Sequence, residues 1–171
     1  MAPGERSDIV QVLEDSRKVF HEAAAGISES QASTSPGEGR WSVLQCTEHV
    51  TIVEERFLGF LENAGRLDSP AIDPTKEADL MARVTNRTTR AQAPEPVRPS
   101  GRFASLAEAL AGFHAARTRT ISYATEHAAE LPVHACQHAR FGDLNGRELL
   151  VIMAGHARRH AEQIREVRSA I

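Results

Sequence analysis

The C-terminal segment after Asn145 carries an apolar stripe at helical spacing, and two histidines fall inside it. The stripe consists of Leu149, Met153, Ile164, Val167 and Ile171. At 100° per residue these side chains occupy a narrow arc, and His156 and His160 lie near its centre. The two imidazoles are therefore predicted to point into a helical core, one turn apart on one face. This i,i+4 spacing offers two nitrogens to one metal ion.

A second helical segment repeats the pattern. His49 lies at the edge of the arc set by Cys46, Val50, Val53 and Phe57. A buried imidazole without a partner costs about 1–3 kcal/mol, so three inward histidines need a common partner. A divalent transition metal is the simplest one, because imidazole suits Zn, Ni, Co, Fe or Cu better than Mg or Ca. The alternative is that these are ordinary core histidines, each satisfied within the protein.

Four long helical segments are predicted, beginning near Ser7 and at Ser42, Ser105 and Asn145. The last three starts each have Gln or Glu three positions later, which is typical of a capping box. Pro132 is predicted to end the third helix. The connection 66–101 is proline-rich and too long for a tight hairpin, with a short helix at 76–88. The sequence predicts an all-α, four-helix up-down bundle with a long crossover connection between the second and third helices.

The composition favours one cytoplasmic domain spanning 1–171. Aromatic residues make up only 5% of the 171 residues, and this favours helices over sheets. The formal net charge is -3 and there is no basic stripe, so nucleic acid is not an expected partner. No apolar run approaches the roughly 18 residues that span a membrane, and the N-terminus lacks a signal-peptide layout. Two cysteines do not make a disulfide framework.

Three segments resemble motifs of the DinB-like (YfiT-like) family. RWSVLQCTEHV at 40–50 resembles its second-helix motif, and HARFGDLN at 138–145 with GHARRHAEQI at 155–164 resembles its last-helix signature. The resemblance implies an antiparallel four-helix bundle in which His49, His156 and His160 hold a metal, for which we expect nickel or zinc. It also implies a small-molecule substrate and a homodimer. Ala139 stands where the family usually has proline, a departure in the loop before the last helix that leaves the triad unchanged.

Three protein ligands leave an open coordination position, as in catalytic metal sites. A water there has its pKa lowered towards about 7, and a thiol ionises. Family members include metal-dependent hydrolases and transferases that use a low-molecular-weight thiol such as bacillithiol or mycothiol, and the sequence does not choose between them. The alternatives are a metal-binding sensor or structural bundle without catalysis, and an interaction bundle whose metal site has decayed.

No general base is assigned. Glu48 and Glu162 are expected on the surface, although Glu48 has an alternative role in orienting an imidazole. Arg158 and Arg159 are expected on the solvated face of the last helix. Cys46 is interpreted as a small buried residue rather than as an additional sulfur ligand.

Further histidines precede the last helix. His134, Cys136 and His138 alternate in a segment read as a loop, where they form either a second metal site or no site. His138 is expected to line the mouth of the active site or to cap the end of the bundle. His21, His114 and His127 carry no signal beyond that of surface or partly buried histidines.

Overall fold

The computed structural model describes residues 3–88 and 91–171, with side chains described from residue 9 onward. In chain order the elements are α1 (Pro3–Ala24), α2 (Glu29–Ala32), α3 (Val43–Glu62), β1 (Gly65–Arg66), α4 (Pro74–Thr85), a 3₁₀ turn (Glu95–Val97), α5 (Leu106–Glu126), a second 3₁₀ turn (Leu131–Val133), β2 (His134–His138), β3 (Gly142–Leu144) and α6 (Gly146–Arg168). The long helices α1, α3, α5 and α6 correspond to the four predicted segments.

Two of the predicted capping boxes form in full. Ser42 Oγ accepts from the Gln45 N–H at 3.2 Å, and Gln45 Oε1 accepts from the Ser42 N–H at 3.0 Å. Asn145 and Glu148 make the same reciprocal pair at 2.9 Å each. These bonds satisfy N–H groups that have no partner within the helix, and they fix the starts of the two helices that carry the candidate histidines.

The third predicted box forms in part. Ser105 Oγ accepts from the Glu108 N–H at 3.1 Å, but the Glu108 carboxylate accepts from the Ala104 N–H at 3.0 Å. Helix α5 ends at Glu126, before Pro132, which instead lies in the following 3₁₀ turn. Ile171, predicted in the apolar stripe, lies beyond the end of α6 and is 40% exposed.

The four long helices form the predicted bundle. Helix α1 packs on α6 and α5, and α3 packs on α5 and α6. The long connection leaves α3, places α4 against α6 and then returns to α5 beside α3. The four-helix bundle with a long crossover between its second and third helices is thus confirmed, and the short helix expected at 76–88 is α4.

A buried ion pair joins the helices at the centre of the bundle. Arg117 on α5 donates to both carboxylate oxygens of Glu54 on α3, at 2.6 and 2.9 Å. The same guanidinium donates to the Leu13 carbonyl at 2.8 Å and to Ser16 Oγ at 2.5 Å on α1. Arg117 is fully buried, and Glu54 is 2% exposed. Burial of a charge is tolerated here because every polar group of the pair has partners.

A small antiparallel sheet closes one end of the bundle, where the sequence predicted a loop. Its order is β1-β2-β3, with Gly65 opposite Ala135 and His138 opposite Gly142. Gly142 has φ +74°, a backbone conformation that glycine adopts without strain, and this allows the tight turn between β2 and β3. Strands of two to five residues are too short to give a readable alternation of polar and apolar residues.

Among the described residues, no helix combines the length and the apolar character needed to cross a membrane.

Candidate metal centre

Three imidazoles from two helices converge inside the bundle, as the sequence predicted. His49 Nε2 lies 3.1 Å from His156 Nε2, and His160 Nε2 also lies 3.1 Å from His156 Nε2. His49 and His160 are 4% and 6% exposed, and His156 is half-buried. We refer to these three residues as the histidine triad. In the described part of the chain it is the one group of three or more potential ligands whose donor atoms cluster closely.

The protonation of His49 follows from its hydrogen bond. His49 Nδ1 lies 2.6 Å from the carbonyl oxygen of Val97, in the 3₁₀ turn of the long connection. A carbonyl oxygen can only accept, so Nδ1 carries the proton and Nε2 of the neutral ring carries the lone pair. The lone pair is therefore directed towards the other two histidines, which is the tautomer that a metal ligand needs.

Glu48 holds the segment that carries Val97. Its carboxylate accepts from the Ser100 N–H at 2.6 Å and from the Gly101 N–H at 3.2 Å. Gly101 has φ +84°, so the turn that presents its N–H favours glycine. Glu48 is 1% exposed, and the expectation that it lies on the surface is wrong. Glu48 holds the loop whose Val97 carbonyl contacts the His49 imidazole. This indirect contact is close to the alternative expectation, in which Glu48 orients an imidazole.

Burial keeps the triad neutral. Desolvation lowers the pKa of His49 below 6.5, and the hydrogen bond to Val97 opposes this shift in part. The pKa values of His156 and His160 lie well below 6.5, first because of burial and then because of neighbouring positive charges. Neutral imidazoles have the free lone pairs that metal binding requires.

The donor set fits a divalent transition metal. Nitrogens that share a tetrahedral ion at about 2.0–2.1 Å lie roughly 3.3 Å apart, close to the observed 3.1 Å. Hydrogen bonds among the three rings cannot give every Nε2 atom a partner. His156 Nε2 faces two nitrogens but can hold one proton at most, and His49 Nε2 holds none in its neutral form. One cation bound by all three Nε2 atoms would satisfy all three lone pairs.

The triad opens into a cavity of about 1210 Å³. Its apolar walls include Trp41, Phe57, Phe60 and Phe141. The Trp41 ring packs 4.8 Å from the His49 ring, measured between centroids, so Trp41 supports the triad as well as the start of α3. The volume is ample for a small organic molecule.

His138 lies in the cavity wall, as expected for a residue at the mouth of the site. Its Nδ1 accepts from the Arg140 N–H at 3.0 Å and from the Phe141 N–H at 3.3 Å, and these bonds define the turn between β2 and β3. Ala139, in the usual proline position, lies in this turn. His134 and Cys136 share β2 with His138, but the three form no cluster of ligand atoms among the described residues.

The structure also decides three other expectations about side-chain exposure. Arg158 and Arg159 are half-buried rather than solvated. Arg159 lines the cavity and donates to the backbone carbonyls of Val84 and Asn86, at the end of α4, because that helix covers the corresponding face of α6. Cys46 is a fully buried thiol outside the ligand cluster, and burial raises its pKa to about 12. Glu162 is exposed, as predicted.

The fold and site define a class of protein, a four-helix bundle with three converging histidines in a cavity. The chain belongs to the DinB superfamily, whose family model matches residues 12–164. A search of curated proteins found no match. Among solved structures, the fold is similar to YfiT from Bacillus subtilis, described as "a probable metal-dependent hydrolase with an unusual four-helix bundle topology". The two share 17% identity and a TM-score of 0.62 over 98% of this chain and 87% of that one.

Proposed function

We propose that this protein is a metal-dependent hydrolase that binds one divalent transition metal, nickel or zinc, through His49, His156 and His160. The observation that carries the proposal is the convergence of three neutral Nε2 atoms at the wall of a large cavity. Three ligands from the chain leave a coordination position for water or substrate. The description of YfiT supports the same class of reaction.

Other residues of the chain orient the candidate ligands and form the wall beside them. The Val97 carbonyl fixes the His49 ring, and Glu48 fixes the loop that carries this carbonyl. Trp41 and Phe57 give the cavity an apolar wall beside the triad. A bound divalent ion lowers the pKa of a water or thiol in its open position.

A second reaction, transfer to or from a low-molecular-weight thiol, is favoured by the scarcity of carboxylates at the site. Among the described residues that line the cavity, Glu166 is the one carboxylate, and it forms a bidentate pair with Arg87 at 2.6 and 3.1 Å. A thiol that ionises on a metal does not need a separate carboxylate base. Such a thiol would then be the second small-molecule partner.

Elemental analysis of untagged protein tests the proposal. We expect about one nickel or zinc per chain in the wild type and none in the His156→Ala/His160→Ala variant. A matched control is His21→Ala/His114→Ala, which removes another pair of imidazoles whose nitrogens lie 3.0 Å apart. The control should retain the metal.

The metal-loaded protein is then assayed with esters, amides and electrophile–thiol pairs. Turnover that requires the metal and is lost in the triad variant supports an enzyme. Metal uptake without turnover supports a sensor or structural bundle instead. If the wild type takes up no supplied metal, the triad is a polar feature of the core and the enzyme proposal is wrong.

The homodimer remains a prediction. Ile72 and Ile171 are the large apolar residues with exposed side chains in the described part of the chain. Sedimentation velocity would test it, and a monomer at every concentration would contradict it.

A further inference from the structure

Arginines surround the cavity that contains the triad. Among the described residues six arginines line it, and each comes from a different segment: Arg40, Arg56, Arg87, Arg98, Arg140 and Arg159. The chain as a whole has a formal charge of -3 and contains 23 acidic residues. Among the described lining residues, Glu166 is the one acidic side chain. The cavity therefore has a surplus of positive charge in a protein that is acidic overall.

Four of these six arginines have no carboxylate partner among the residues that the structure describes. Within the described residues, Arg40, Arg56, Arg98 and Arg140 form no ion pair, whereas Arg87 is paired with Glu166. Elsewhere in the protein, arginines such as Arg102 and Arg147 are paired with glutamates. Four arginines that form no ion pair among the described residues therefore line this one cavity, although others such as Arg66 and Arg119 lie outside it.

Two of these arginines adjoin the triad or its support in the sequence. Arg98 directly follows Val97, whose carbonyl holds His49, and Arg159 directly precedes His160. Cations that line one cavity repel one another, and a bound anion would relieve that repulsion.

We propose that the substrate of this site carries a carboxylate or phosphate group, which the arginines at the mouth of the cavity bind while the reacting bond faces the triad. Guanidinium groups bind both anions through paired N–H donors, which gives orientation as well as affinity. This inference rests on the proposed function for the position of the reacting bond. The binding of the anion by the arginines does not depend on the metal.

Arg56 and Arg140 are the positions at which to test this. Both side chains are exposed and line the cavity, so their substitution should leave the core intact. Each guanidinium lies 5.3 Å from the centre of a phenylalanine ring. The matched control is Arg66→Gln/Arg119→Gln, which removes two exposed arginines outside the cavity and so changes the net charge equally.

The experiment is calorimetric titration of metal-free protein with inorganic phosphate, with glutarate and with neutral 1,5-pentanediol. We expect Arg56→Gln/Arg140→Gln to weaken anion binding by about tenfold or more, because charge-assisted hydrogen bonds are lost. The control variant should stay within about twofold of the wild type, since distant surface charges are screened by salt. The tighter of the two anions identifies the group on the substrate.

Three results would overturn the inference: neither anion binds, pentanediol binds as tightly, or both double variants weaken binding equally. The metal content of Arg56→Gln/Arg140→Gln, measured separately, should match that of the wild type. Anion binding without metal uptake would refute the proposed function and leave the arginine site standing. Metal uptake without anion binding would refute the arginine site and leave the proposed function standing.

Discussion

Substitution of Glu48 by alanine tests whether the loop after α4 orients the candidate metal centre. The Glu48 carboxylate accepts from the Ser100 N–H at 2.6 Å and from the Gly101 N–H at 3.2 Å, in a site that is 1% exposed. Alanine removes both acceptors and leaves two N–H groups without their partner. The segment that places the Val97 carbonyl 2.6 Å from His49 Nδ1 would then be released.

The expected magnitude follows from these two bonds. A hydrogen bond to a charged group contributes about 1.5–3 kcal/mol net, so we expect Glu48→Ala to lower the free energy of unfolding by roughly 3–5 kcal/mol. The loss of a group that orients a ligand typically weakens metal binding by about 10–100-fold, or about 1.4–2.8 kcal/mol. The effect on the metal is the smaller one because all three nitrogen ligands remain.

The assay is competition for zinc against a chromophoric chelator, with urea titration on the same samples. Glu55→Ala is the matched control, since Glu55 sits on the same helix and pairs with Arg102, next to the same loop, in a partly exposed salt bridge. Such a bridge contributes about 0–1 kcal/mol, and its loss should leave zinc affinity unchanged. Glu48→Gln keeps the side-chain shape, so zinc affinity can be measured on this variant if the alanine variant does not fold. Unchanged zinc affinity in a folded Glu48 variant, or an equal loss in Glu55→Ala, would refute the reasoning.

Three further predictions concern stability. First, the triad has lowered pKa values. The unfolded chain therefore takes up protons below about pH 6.5 that the folded chain does not, and the stability present above that pH falls as the pH decreases. Urea titrations of metal-free protein between about pH 7 and pH 5 should show this loss, and the loss should be smaller in His156→Ala/His160→Ala; an equal slope would contradict it. Second, a Cβ at Gly155 would lie 3.0 Å from Val84 Cγ1 on α4, so Gly155→Leu should lower the free energy of unfolding by about 1–3 kcal/mol through overpacking; an unchanged urea midpoint would be evidence against this tight contact. Third, Glu54→Gln should cost about 3–5 kcal/mol by leaving Arg117 charged and buried without its partner, and a loss below about 1 kcal/mol would show that solvent reaches this site.

The beginnings of the bundle helices were predictable because their signals are local. Ser42 with Gln45, and Asn145 with Glu148, satisfy the first N–H groups of their own helices, so the interaction lies within four residues of sequence. The small sheet has no such signal, since its strands pair residues about 70 positions apart in the case of Gly65 and Ala135. The end of α5 was predicted at Pro132, whereas the helix ends earlier, at Glu126.

The triad was predictable because helical geometry fixes which residues share a face. His156 and His160 lie on one stripe of a single helix, and His49 lies on the inner arc of another, so the inward direction of each follows from a period of 3.6 residues. That His49 Nε2 would lie 3.1 Å from His156 Nε2 depends on how α3 packs on α6. Helix packing has no comparable signature in one sequence, and the resemblance to a known family supplied that expectation.

The sequence by itself determined the helices, their inward faces and the three histidines, because these properties depend on residues within a few turns of each other. Only the tertiary structure decided that Glu48 is buried, that Val97 sets the tautomer of His49, and that arginines from six segments line one cavity. Each of these depends on where the long connection and the β2–β3 turn lie against the bundle. That placement is fixed by contacts between residues far apart in sequence, which no local periodicity encodes.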